Sequence, residues 1–260
     1  MGICSNYPGG INRLVLHTRV LLLDIETSPN IGYTWGSFET DVIEIIRPWQ
    51  LLSFAYKWLG KKTRCVALCD KKGYKPGCDD KAILQDLWDV LNEADVVVAQ
   101  NGDEFDIKKI NTRFIKFKMS PPSPYKTVDT LKIARSRFAF NSNRLNDLGQ
   151  FLGCGEKMKH QGFGLWKGCM EGDRKAWAIM KAYNIKDVDL LEKLYIQMRP
   201  WANNHPNVAV SEYHQCPKCG SGNVHARGKT LTKNSVFHRY QCQSCGSWSK
   251  GSKIISSPLK

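Results

Sequence analysis

The sequence predicts an α/β protein: a mixed β-sheet flanked by helices, followed by a small C-terminal unit organised by cysteines. Three observations predict it. Between residues 19 and 201, short β-branched runs alternate with stretches of helical apolar periodicity. Residues 213–260 contain no Asp or Glu, whereas Lys218, Arg227, Lys229, Lys233, Arg239, Lys250, Lys253 and Lys260 supply eight positive charges. Two Cys-x-x-Cys pairs lie within that same basic stretch. The chain is therefore expected to divide into an N-terminal extension (1–18), a main domain (19–201), a linker (202–212) and a C-terminal unit (213–260).

The main domain opens with "RVLLLDIETSP" (19–29), a run of strand character that ends in two carboxylates, Asp24 and Glu26. Residues two apart on a strand share a face, so both acids project from the same side. Side by side they repel, and burial adds a desolvation cost, unless a cation neutralises them. A divalent metal ion is the expected cation. Downstream, "LLSFAYKWLG" (51–60) and "TRCVALCD" (63–70) read as strands paired around Gly60-Lys61-Lys62. In "DDKAILQDLWDVLNEA" (79–94), Ile83, Leu84, Leu87, Trp88 and Leu91 make one apolar helix face. "DVVVAQN" (95–101) is short and β-branched, which suits a buried strand. "DEFDIKKINTRFIKFK" (103–118) returns to helical spacing through Ile107, Ile110, Phe114 and Phe117, with Asp103 or Asn101 as the expected cap.

Two further acidic positions emerge on this framework. Asp106, in "NGDEFD" (101–106), falls where a strand turns into a helix, at the carboxyl end of the sheet where open α/β folds place ligands. In "AYNIKDVDLLEKLY" (182–195), Tyr183 and Asp187 are four apart on one helix face, with Asp189 as the rival acid. Asp129 and Asp147 read instead as helix-capping or structural residues.

The motifs "DIET", N-x-x-x-F-D and Y-x-x-x-D, in this order, resemble those of the DEDD 3′–5′ exonuclease superfamily, a ribonuclease H-like group that includes polymerase proofreading domains. The tyrosine points to the DEDDy branch, similar to the exonuclease domains of family B DNA polymerases; the histidine-type variant would need His at position 182, which is Ala. "TVDTLKIARSRFAFNSNRLNDLGQFLG" (127–153) also resembles the segment between the second and third motifs. The resemblance implies a ribonuclease H-like fold and a metal-dependent 3′–5′ exonuclease, free-standing because no polymerase motif is visible. It implies Asp24, Glu26, Asp106, Tyr183 and Asp187 as the catalytic set. Two Mg²⁺ or Mn²⁺ ions suit such oxygen ligands: Asp24 would bridge them, Glu26 and Asp187 would hold the ion that activates water, and Asp106 would support the other. With an ordinary pKa near 10, Tyr183 is a poor general base and is expected to orient the attacking water. A structure-directed endonuclease on the same framework, or a catalytically inactive nucleic-acid-binding adaptor, are the alternatives.

Cys216 and Cys219, then Cys242 and Cys245, form two C-x-x-C pairs, each followed by Gly, with "VHARGKTLT" and "SVFHRYQC" between them as two short strands. This spacing predicts a zinc ribbon with one structural Zn²⁺ held by four thiolates. The charge of −2 on such a cluster would leave the tail at about +6. Arg227, Lys229 and Arg239 are expected to meet phosphate, and Phe237, Tyr240 and Trp248 to add stacking. His214, His225 and His238 read as surface residues. Cys4, Cys65, Cys69, Cys78, Cys154 and Cys169 show no comparable pattern and read as reduced thiols.

A formal net charge of +14 points to a polyanionic partner, with nucleic acid, its single strands or 3′ ends, the expected class. The resemblance favours DNA, although the residues themselves do not separate DNA from RNA. "GEKMKHQGFGLWKG" (155–168) combines glycines, lysines, Phe163 and Trp166 in what reads as a mobile loop. Asn101, Phe105, Phe163, Trp166 and Lys167 are the expected substrate contacts in the main domain. Between residues 28 and 49, Tyr33, Trp35, Phe38, Arg47 and Trp49 read as core packing or as an approach to a strand end. No apolar run reaches the roughly 20 residues that cross a bilayer, and the N-terminus lacks the order of a secretory signal, so an intracellular protein, cytoplasmic or nucleoid-associated and without membrane contact, is expected.

Overall fold

Strand β1 (Val20–Thr27) forms the middle of a five-stranded sheet because its residues up to Leu23, and Ile25 beyond, are buried on one face or the other. The structure, a computed structural model, describes residues 18–38, 41–209 and 215–257. The N-terminal extension up to residue 17, with Cys4, the linker positions 210–212, and His214 and Lys260 lie outside the described residues. Sheet order is β5-β4-β1-β6-β7. Strand β4 (Leu51–Trp58) pairs antiparallel with β1 and with β5 (Arg64–Ala67), whereas β6 (Val96–Ala99) runs parallel to β1 and to β7 (Lys126–Asp129). Gly60, at φ +76°, turns β4 toward β5, a conformation that costs glycine little.

One face of the sheet, with Leu21, Leu23, Ile25 and Phe54, packs on α1 (Lys81–Asn92) through Ile83, Leu84, Leu87 and Leu91, and on α2 (Asp106–Lys116) through Ile110 and Phe114. Each of the four buried α1 side chains contributes about 1.5–3 kcal/mol of transfer free energy. The other face, with Val20, Leu22, Ala55 and Val98, packs on α3 (Thr130–Arg137), α4 (Leu145–Phe151) and the later turns of α6 (Arg174–Met198) through Ile133, Leu148, Val188, Leu191, Leu194 and Tyr195. Asp24 and Glu26 follow Val20 and Leu22 in the two-residue period and so emerge on the α6 side.

Several expectations are corrected. Neither Asn101 nor Asp103 caps α2: the residue before that helix is Phe105, without a side-chain cap bond, and Asp103 pairs instead with Lys132 at 2.7 Å. Asp129 caps α3 as expected, accepting from the Leu131 N–H, and also ends β7. Residues 155–168 are not one loop, because α5 (Phe163–Glu171) starts within them and carries Phe163, Trp166 and Lys167. The aromatics of 28–49 are not core: β2 (Ile31–Tyr33) and β3 (Glu44–Arg47) form a short hairpin on which Trp35 is 86% and Phe38 100% exposed.

The C-terminal unit is a three-stranded antiparallel sheet, order β10-β9-β8, of β8 (Val224–Leu231), β9 (Val236–Cys242) and β10 (Trp248–Ser256). The third strand was not expected; "WSKGSKIIS" lacks alternation and is held by pairing with β9. The residues after α6 are tied on both sides: Tyr195 Oη lies 2.7 Å from His205 Nε2, Val208 N–H donates to Pro217 O at 2.8 Å, and Lys218 Nζ reaches Pro200 O directly at 2.6 Å. No helix among the described residues is long and apolar enough to cross a membrane.

Candidate active site

Asp24, Glu26 and Asp187 each offer a carboxylate oxygen within 4.8 Å of the others. Strand β1 supplies the first two by its two-residue period, and α6 supplies the third by crossing that face of the sheet. Tyr183 stands one turn before Asp187 on α6, its phenol beside the Asp187 carboxylate and the Lys157 ammonium. Asp106 approaches from α2 without joining the trio: its Oδ1 accepts the Ile25 N–H at 3.1 Å, which ties the start of α2 to the end of β1. Asp189, the rival acid, is engaged elsewhere, with Lys57 at 3.1 Å and with the Thr63 hydroxyl.

The electrostatics follow from this crowding. Burial, and then the neighbouring Glu26, Asp106 and Asp187 charges, hold the Asp24 carboxyl well above the usual carboxylate range. Burial and Asp187 push Glu26 up to about 7, against the opposing pull of Lys157 and of the nearby Trp166 indole N–H. Burial pushes Asp106 to about 7 although the Ile25 N–H opposes it. Asp187 is likewise raised by burial, opposed chiefly by Lys157. The Tyr183 phenol is driven above its ordinary 10 by burial and by Asp187, which removes it further from any role as a base.

Residues that the sequence reading did not single out complete the site. The Lys157 ammonium stands 2.6 Å from Asp187 Oδ2 and 4.8 Å from the Tyr183 ring centre. His160 packs edge-on against Trp166 and Tyr183, with ring centres 5.1 and 4.9 Å apart. Lys109 donates to Thr27 Oγ1 at 2.8 Å and lies over the Trp49 and Phe105 rings. Asn184 is fully buried against Asp24. For Lys157 and His160 the only signal was the lysine-rich loop; for Asn184 it was adjacency to Tyr183.

The expected substrate contacts separate into two groups. Trp166 is turned inward and forms a wall of the acidic site, so it is not a free stacking surface. Phe163, 64% exposed, and Phe105, 40% exposed, both face solvent. Exposed Lys167 pairs with Glu171 at 3.8 Å, and Asn101 adopts a left-handed φ of +62° while its N–H donates to Asp129 at 2.9 Å. On the C-terminal sheet Arg227 and Lys229 are exposed, and the Arg239 guanidinium lies 4.8 Å from the Trp248 ring centre while Nε donates to Arg227 O.

The four C-terminal cysteines converge as well, with Cys216 Sγ 3.7 Å from Cys245 Sγ and Cys219 Sγ 3.7 Å from Cys242 Sγ. Two matching turns present them: Gly220 N–H donates to Cys216 O and Gly246 N–H to Cys242 O, and both glycines have φ above +70°. Tetrahedral thiolates at about 2.3 Å from zinc stand close to that separation, so the donor set fits the ion. Burial works against the Cys216 thiolate, but bonds from Ser247 and the Lys218 and Cys219 amides bring it down to about 7. Cys65, Cys69 and Cys169, by contrast, are pushed by burial up to about 12, 11 and 12, as inert thiols are. Within the described residues Cys65, Cys69, Cys78, Cys154 and Cys169 are free, and His225 and His238 are exposed.

The chain belongs to the RNase H superfamily, whose sequence profile matches residues 51–199, more than half of its length. The match contains Asp106, Tyr183 and Asp187 and begins after Asp24 and Glu26. Among solved structures, it is similar to the family B DNA polymerase from the hyperthermophilic archaeon Pyrobaculum calidifontis, at a TM-score of 0.54 and 16% identity, over 70% of this chain. This chain covers 25% of that polymerase, and the likeness is one of fold. No curated protein matches the sequence.

Proposed function

We propose that this protein is a metal-dependent 3′–5′ exonuclease that hydrolyses phosphodiester bonds of nucleic acid, DNA in preference, with the zinc ribbon helping to hold the strand. The observation that carries the reading is the meeting of Asp24, Glu26 and Asp187 within 4.8 Å, with Asp187 Oδ1 buried and lacking any hydrogen-bond partner. Three acids with raised pKa values, Asp187 buried and Asp24 and Glu26 half-buried, form with the orphaned oxygen a hard, oxygen-only donor set that suits Mg²⁺ or Mn²⁺. Asp24, Glu26 and Asp187 would hold the ions, Asp106 supporting from the α2 side, and Cys216, Cys219, Cys242 and Cys245 would hold one Zn²⁺. Such ions, when bound, supply Lewis acidity that lowers the pKa of water and offsets charge on the departing 3′ oxygen.

The chain's own residues do the rest. Tyr183, too basic to lose its proton at neutral pH, donates through its hydroxyl and orients what lies beside Asp187. The Lys157 ammonium offers a charge for a phosphate oxygen at the same place. Trp166 and His160 wall the site and restrict water. The excess of 38 Lys and Arg over 24 Asp and Glu raises the local concentration of a polyanion around these acids.

Matched DNA and RNA substrates, end-labelled and circular, test the proposal with parent, Asp24→Asn and Asp106→Ala proteins. Stepwise loss of nucleotides from a free 3′ end, lowered on the order of 10²–10³-fold in both variants, is the expected result. Cutting of circles would establish an endonuclease instead, and binding without hydrolysis an adaptor.

A further inference from the structure

We infer that Asn184 is a positioning residue that fixes the Asp24 carboxylate for cation binding; the inference rests on the metal-dependent reading of the acidic site. Asn184 has no exposed surface. Its Nδ2 donates to Asp24 Oδ2 at 2.6 Å and to the Asp24 main-chain oxygen at 3.3 Å. Its Oδ1 accepts from the Ser53 hydroxyl at 3.2 Å, and Ser53 is itself fully buried. Both amide hydrogens and the amide oxygen are thus committed.

The partners decide which way the amide points. The Asp24 main-chain oxygen can only accept, as does the carboxylate when it binds a cation, so the nitrogen must face Asp24, and a hydroxyl that donates to the amide oxygen holds that orientation. Ser53 is paired directly with Glu26 across β1 and β4, on the sheet face that α6 covers. The amide therefore links three elements: β4 through Ser53, β1 through Asp24, and α6, which carries Tyr183 and Asp187 one residue before and three after.

A neutral donor is the chemistry this place requires. Lysine or arginine would hold Asp24 equally well but would cancel the negative charge that attracts a cation, as Lys157 does at Asp187. An amide directs one carboxylate oxygen and leaves the net charge of the acidic cluster intact. A carboxylate freed of that partner would rotate about χ2, and the acids would no longer meet at one point. Hydrogen bonds to ligating carboxylates typically carry 10- to 100-fold in metal affinity.

The test is Mn²⁺ binding to the full chain, followed by electron paramagnetic resonance of free Mn²⁺, together with thermal unfolding of each protein. Asn184→Leu, of similar volume, should fold and bind Mn²⁺ roughly 10- to 100-fold more weakly than the parent. Ser53→Ala should show a smaller loss in the same direction and carries the test if Asn184→Leu fails to fold. Asp24→Asn serves as the reference: if it binds Mn²⁺ as the parent does, the metal reading itself fails. If Asp24→Asn weakens binding while folded Asn184→Leu, or Ser53→Ala in its place, retains parental affinity, the positioning role is overturned and Asn184 is structural only.

Discussion

Lys157 Nζ lies 2.6 Å from Asp187 Oδ2, while the other oxygen of that carboxylate is buried without a hydrogen-bond partner. One ammonium therefore serves a site in which burial raises the pKa of four acids and repulsion from their neighbours adds to it at Asp24 and Glu26. Lys157→Met should destabilise the protein without added Mg²⁺ or Mn²⁺ by about 1–3 kcal/mol at neutral pH, because an acidic group is left buried and unpaired. Added Mn²⁺ should recover much of that loss, since a cation can take over the neutralisation. Urea unfolding with and without Mn²⁺ measures both, and a variant as stable as the parent would show that the pair contributes nothing net.

The same crowding gives a pH dependence of defined sign. With Glu26 and Asp106 raised to about 7, the folded chain keeps protons between roughly pH 4.5 and 7 that the unfolded chain has released. Stability linked to these groups falls as pH rises through that window. Glu26→Gln removes one contributor, so without divalent ions it should exceed the parent in stability near neutral pH, with the gap closing toward about pH 4.5. Denaturation midpoints across that range test it, and a gap that is constant or opens in the acid direction would contradict a desolvated Glu26.

Much of this arrangement was legible in the sequence because it rests on local periodicity. The two-residue period of "DIE" put Asp24 and Glu26 on one face, and the four-residue spacing of Tyr183 and Asp187 put them on one helix side; the structure places both pairs so. What was not legible depends on long-range packing. The link between Asn184 and Asp24 spans 160 residues, and Lys157 reaches Asp187 from a segment whose glycines and lysines suggested a loop. Trp166 reads from the sequence as a substrate contact because nothing local shows that α5 turns it toward Glu26. The apolar hairpin of β2 and β3 reads as core by composition, and only tertiary structure reveals its exposure.

Tyr183→Phe should slow single-turnover hydrolysis by roughly tenfold without abolishing it, less than a general acid or base would contribute. The phenol lies beside Asp187 and Lys157, and burial raises its pKa further above neutrality. The pH–rate profile should keep the parent's shape near neutrality, since the phenol removed titrates only above its ordinary 10. A loss as large as that of Asp24→Asn, or a profile with one limb missing, would make the tyrosine a proton carrier.

The ribbon offers the last test, because its fold has no apolar core of its own. Of the described residues 215–257, the buried ones are Cys216, Cys242 and Ser247, all beside the four-sulfur cluster. Removing zinc, or Cys216→Ser with Cys219→Ser, should therefore unfold β8, β9 and β10 while the body with its separate core remains. Seven cations in these residues, with no acid among them, can neutralise phosphates. Each phosphate that is no longer neutralised should flatten the dependence of log affinity on log salt by roughly 0.7 to 0.9. In an Asp24→Asn background that does not cleave, the cysteine variant should bind nucleic acid more weakly and with a shallower salt slope. Cleavage of short strands at high enzyme concentration should survive in the otherwise parental protein, since every acid of the site lies in the body. Equal affinities and slopes for the parent and the cysteine variant would assign the ribbon to a protein partner or to folding.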